Sequence, residues 1–186
     1  RTWLLRNTGD GRFEDVTLSS GILTNRSETN PDLGRPMPVT AFGDVDNDGD
    51  LDLFSGVIHD PNAEIPTPET SEIMLNQGDG TFALGPAESH IRIVDQDAVS
   101  GASFVDYDRN GVVDLWLVRN TYAGTPQQDR LYWGDGGGAF LDVTGPAGLE
   151  TAPWIDTDIL NAGQGTSGGW GAAACDLNGD GMQDLL

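Results

Sequence analysis

Short runs such as LDLFSGVI and DLWLVRN, alternating and rich in β-branched and aromatic residues, punctuate the chain between breaks of glycine and aspartate. Runs of this length and composition read as strands. The breaks fall into two recurring kinds. One is a nine-residue acidic loop that starts at 44, 106 and 176, reading DVDNDGDLD, DYDRNGVVD and DLNGDGMQD. The other is an apolar run, a glycine-aspartate turn and a phenylalanine: WLLRNTGDGRF at 3–13, IMLNQGDGTF at 73–82 and LYWGDGGGAF at 131–140. The second kind reads as a hairpin whose glycines supply the positive φ of a tight connection. A phosphate loop is disfavoured there, since neither a Walker lysine nor a helical pattern follows.

Assembled, each unit has four strands. Strand A is 38–43, 102–105 or 170–175, and the acidic loop joins it to strand B. Strand C is EIML or RLYW, and the hairpin joins it to strand D. Four antiparallel strands per repeat of several tens of residues describe a blade of an all-β propeller, with A innermost because its small residues allow close approach. The expected division is strands C and D with a connection at 1–37, full blades at 38–99 and 100–168, and the start of another at 169–186. That is about three blades, expected to be a fragment of a seven-bladed ring. Closure by two or more chains is the less favoured reading.

The acidic loops carry the chemistry. Oxygen-bearing side chains stand at positions 1, 3, 5 and 9, with glycine at 6: Asp44, Asp46, Asp48 and Asp52; Asp106, Asp108, Asn110 and Asp114; Asp176, Asn178, Asp180 and Asp184. A hard cation such as calcium takes six to eight oxygens, and the glycine permits the turn that makes them converge. An EF-hand is excluded, because position 12 is Ser55 or Leu117 rather than glutamate and the flanks are strands. The first loop, with four carboxylates at these positions, is expected to bind best. The middle loop, with Asn110 and with Arg109 inside it, is expected to bind worst, the alternative being that the Arg109 side chain points outward and costs little.

Composition narrows the function. A formal net charge of −21 argues against nucleic acid or an anionic membrane surface as partner. Eleven of the acids lie in the three loops, so three calcium ions would bring the charge to about −15. All nine basic residues are arginine, which removes Schiff-base and P-loop lysine chemistry from this segment. Cys175 stands alone in GAAAC and reads as a buried structural thiol. No apolar stretch is long enough for a membrane-spanning helix.

The A–B and C–D turns share one face of the blades, and the long B–C and D–A connections share the other. Variable loops on a rigid scaffold are where binding sites are usually built. His59-Asp60, Tyr122, Trp154 and Gln127-Gln128 lie on that face, with His59 read as a solvated loop histidine.

The motifs GDVDNDGDLDL and CDLNGDGMQDLL, preceded by strands such as TAFGD, resemble the FG-GAP/VCBS repeats of integrin α-subunit propellers and many secreted bacterial proteins. FEDVTLSSGI at 13–22 and FLDVTGPAGL at 140–149 narrow the likeness to the cartilage acidic protein and UnbV-type branch, although the middle copy departs from it with FALGPAESH. The resemblance implies calcium held by side chains at 1, 3, 5 and 9 and by the backbone carbonyl at 7, which adds Asp50, Val112 and Met182. It also implies an extracellular or periplasmic location. A non-enzymatic binding or adhesion scaffold for a protein or glycan is the expected function, with further blades of the same or another chain as partners. The alternative is the propeller of a secreted carbohydrate-active enzyme such as a polysaccharide lyase.

Overall fold

The computed structural model describes residues 2–26, 35, 37–59, 62, 69–93, 97–122, 125–150 and 169–186. Among these residues every regular element is a strand. Strands β3 (Val39–Gly43), β4 (Asp52–Gly56), β5 (Glu72–Asn76) and β6 (Phe82–Leu84) form one four-stranded antiparallel sheet. Strands β7 (Val99–Val105), β8 (Asp114–Arg119), β11 (Arg130–Gly134) and β12 (Phe140–Asp142) form a second in the same order. Two half-sheets flank them: β1 (Leu5–Asn7) with β2 (Phe13–Asp15), and β13 (Ala174–Cys175) with β14 (Asp184–Leu185). These are the C–D and A–B pairs expected at either end. The A strands β3, β7 and β13 contact one another in sequence.

Some elements differ from the sequence expectation. Strand β7 begins at Val99, three residues early, and its register shifts between Val99 and Gly101. Strand β13 covers only the last two residues of 170–175. Part of the 120–129 connection pairs as a ribbon of β9 (Thr121–Tyr122) and β10 (Thr125–Pro126).

The B strands expose neither face: every residue of β4 and β8 is buried. A strand sandwiched between neighbouring sheets has no solvent side, so it needs apolar side chains at consecutive positions. Successive residues then serve opposite layers. Leu53 joins Met74 and Ile22 in one cluster, while Phe54 joins Ile73, Val99, Leu115 and Tyr132 in another. Likewise Leu115 and Leu117 face the first blade, and Trp116 and Val118 face the last half-blade with Ala172, Ala174 and Leu185. The core is thus a series of layers between blades.

Two contacts fix the spacing of those layers. The Phe104 ring lies over Gly43, where a Cβ would stand 2.7 Å from it, and tilts 43° against Phe140 at 6.2 Å. After β2 and after β6 the chain also crosses to the next blade's D strand: Phe82 N–H donates to Ser20 O at 2.7 Å, and Phe140 N–H to Ser89 Oγ at 3.1 Å. Ile22 and Ile91 are buried beneath these crossings. The FALGPAESH copy therefore makes the same crossing as FEDVTLSSGI.

A polar knot ties the first blade to the second at the B–C end. Asp97 O accepts from His59 N–H at 2.8 Å, and Asp97 N–H donates to His59 Nδ1 at 3.0 Å. Its carboxylate takes Ser71 Oγ at 3.0 Å and Arg119 Nη2 at 3.0 Å. His59 Nε2 meets Glu69 O at 3.1 Å, so the ring is buried and held at both nitrogens rather than solvated. Nearby, Arg35 is buried against Ser55, Glu69 and Thr70 O, and Glu72 receives Arg26 and Arg92. Cys175 is the reverse case. Alternation along β13 sends Ala174 into the core and leaves Cys175 exposed.

Removing one member of a buried ion pair leaves its partner desolvated, which costs about 3–5 kcal/mol. Asp97→Ala is expected to destabilise the protein by that amount in urea denaturation. Glu14→Ala, which breaks an exposed pair with Arg6, should cost less than about 1 kcal/mol.

Candidate metal centres

The three acidic loops fold alike. The position-1 carboxylate receives N–H groups from positions 5 and 6: Asp48 at 3.1 Å and Gly49 at 3.1 Å on Asp44, Asn110 and Gly111 on Asp106 at 3.0 Å each, Asp180 at 3.1 Å and Gly181 at 2.7 Å on Asp176. Position 3 receives the position-5 N–H from Asp48, Asn110 and Asp180 at 3.3, 3.1 and 2.9 Å. Position 5 receives the position-7 N–H from Asp50, Val112 and Met182 at 2.9, 2.7 and 2.7 Å. Position 6 is glycine at φ 95°, 86° and 81°, as the turn requires. Position 4 is also left-handed, with Asn47 at φ 58° and Arg109 at φ 61°, which the pattern of acids did not reveal.

The ninth position does a second job. Asp52 is fully buried and receives Val45 N–H at 2.9 Å on one oxygen and Asn76 N–H at 2.8 Å on the other. Asp114 repeats this with Tyr107 at 3.1 Å and Gly134 at 2.9 Å, and Asp184 takes Leu177 N–H at 2.9 Å. In the two full blades this one carboxylate joins the acidic loop to strand C. Gly134 allows the approach, since a Cβ there would collide with Val113 O.

One oxygen each of Asp44, Asp46 and Asp48 lie within 4.8 Å of one another, and so do those of Asp106, Asp108 and Asp114. Oxygens on a calcium sphere of 2.3–2.6 Å radius are separated by about that much or less, and an all-oxygen donor set suits a hard cation. The residues therefore fit the ion in both full blades. Asp52 is not in the first group, and among the described residues Asp176, Asp180 and Asp184 are not gathered as tightly.

The electrostatics separate the loops further. Burial, then the neighbouring charge of Asp48, pushes the Asp46 carboxyl up. Burial pushes Asp52 up against the pull of its two N–H donors, and raises Asp114 to about 6. In the third loop the exposed carboxyls are pulled down: Asp176 chiefly by Gly181 N–H, and Asp180 by Met182 N–H and the Asn178 amide, with the charge of Arg109 adding to them. Arg109 thus acts across the blade boundary. Its charge is felt at Asp180 of the third loop.

Of the residues expected on the opposite face, Asp60, Trp154 and the side chain of Tyr122 lie outside the described residues. Gln128 donates to Asp129 O at 3.0 Å and Leu149 O at 3.2 Å, a structural role. Trp133, not singled out in the sequence, donates through Nε1 to Asp108 Oδ2 at 3.1 Å. Only its place in strand C, beside the loop, signalled this.

Residues 44–117 match the family model for the FG-GAP-like repeat, a span that runs from the first acidic loop into strand B of the next blade. No curated protein matches the chain.

The raised Asp114 carboxyl has a definite sign. Its folded value, about 6, lies above the usual 3.8, so protonation favours the fold; this contribution is full below about pH 4 and lost as pH rises through 6. In metal-free protein the Asp114 carboxyl carbon is expected to titrate near pH 6 by NMR. A midpoint at or below 4 would contradict the burial argument.

Proposed function

We propose that the chain is part of a calcium-stabilised β-propeller scaffold, secreted or periplasmic, that recognises a protein or glycan through its B–C and D–A face. The observation carrying the reading is the double role of position 9: Asp114 belongs to its oxygen cluster and Asp52 feels the charges of Asp46 and Asp48, while each holds an N–H of strand C. Bound calcium would supply the positive charge that relieves repulsion among the carboxylates. The chain's part is to hold Asp44, Asp46 and Asp48, or Asp106, Asp108 and Asp114, close together on N–H groups of their own loops.

The scaffold reading, rather than an enzyme, is supported by His59, both of whose ring nitrogens are engaged by backbone groups. The extracellular location rests on the company such repeats usually keep and on the narrower likeness to the cartilage acidic protein and UnbV branch. No helix among the described residues is long and apolar enough to cross a membrane. Further blades, of the same or another chain, are the partner proposed for the flank carrying Phe42. Phe104 occupies the same place one blade later and packs on Gly43, whereas Phe42 is 51% exposed.

Calcium at about 100 times its dissociation constant adds roughly 2.7 kcal/mol of stability per site. Thermal melts in calcium and in chelator are expected to differ accordingly, with the largest loss on removing the first site by Asp46→Asn. Identical melts in the two conditions would refute a structural role for the ion.

A further inference from the structure

Position 4 of each full loop reaches forward to position 6 of the next. Asn47 donates through Nδ2 to Gly111 O at 3.2 Å. One blade later, Arg109 Nη2 stands so close to Gly181 that a Cβ at that glycine would collide with it. Both residues hold left-handed backbone, φ 58° and 61°, which turns their side chains out of their own loops. Arg109 lies along a cleft of about 330 Å³ between the second blade and the β13–β14 pair, with Phe104, Asp106, Ala174 and Gln183. The same reach thus delivers a neutral amide to the second loop and a full positive charge to the third.

We propose that Arg109 determines the calcium affinity of the third loop: its guanidinium, placed across the blade boundary, weakens that site so that Asp176–Asp184 fills last. This rests on the calcium reading above. A cation entering the third loop meets a like charge already placed beside Gly181, while its three carboxylates at positions 1, 5 and 9 only equal the number in the second loop. Arg109 also offsets part of the repulsion that calcium would otherwise relieve. The third loop consequently depends least on the metal for its shape. The second loop, whose neighbour Asn47 is uncharged, does not carry this penalty.

The test is a calcium titration of the purified protein and three variants, by calorimetry for all sites and by Trp133 fluorescence for the second loop, which that indole touches. Asp176→Asn identifies the third loop by abolishing its step. Arg109→Asn copies the natural Asn47 and suits left-handed backbone, so it removes charge without backbone strain. It is expected to tighten the third-loop step on the order of fivefold at low salt, with the gain shrinking in 1 M salt. Asn47→Arg should weaken the Trp133-reported step by a similar factor. An unchanged third step in Arg109→Asn, or a gain seen through Trp133 instead, overturns the assignment of Arg109 while leaving calcium binding standing. Absence of calcium binding in every protein overturns both.

Discussion

Each full blade depends on one carboxylate that is buried and doubly hydrogen-bonded at the end of its acidic loop. Asp52 and Asp114 close their loops onto Val45 and Tyr107 and fasten them to strand C at Asn76 and Gly134. A carboxylate taken out of water is tolerable only when its oxygens find donors or a cation. Two N–H groups supply part of that compensation, and the upward pull on both carboxyls shows that it is incomplete. A metal ion in the adjoining cluster is the natural complement. With an ion bound there, loop, sheet and metal would form one unit.

The blades are held to each other by several interactions placed at different distances from the acidic loops. Apolar layers fill the space between sheets, the phenylalanine-on-glycine contact sets how closely they approach, and the Asp97 knot locks the far end. The knot is buried and ionic, so it contributes definition of one arrangement more surely than net stability. Acidic clusters at one end and ion pairs at the other leave the middle of the blade to apolar packing. Variable connections can change at the B–C end without disturbing the acidic loops.

Much of this was legible from the sequence because it is local. The nine-residue loops, the glycine turns and the A-to-D strand order are written in spacings of a few residues. The B strands were misread as alternating because burial on both faces follows from neighbouring blades, which no window of one strand contains. His59 read as a solvated loop residue for the same reason: the groups that hold its ring, on Glu69 and Asp97, lie 10 and 38 positions away. The direction of Arg109 was left open by the sequence, because it depends on a left-handed φ that the pattern of acids does not show. Cys175 needed only the alternation of β13 to be placed correctly, but that strand proved shorter than its apolar run suggested.

The account's central claim is that these loops hold calcium through side-chain oxygens while position 9 holds the sheet. Anomalous diffraction from crystals grown with calcium tests it most directly. The account predicts an ion in the first loop about 2.3–2.6 Å from oxygens of Asp44, Asp46 and Asp48, and its counterpart beside Asp106, Asp108 and Asp114, with the bonds to Asn76 and Gly134 retained. Loops without anomalous density at saturating calcium, or ions bound with Asp52 and Asp114 swung away from strand C, would contradict it.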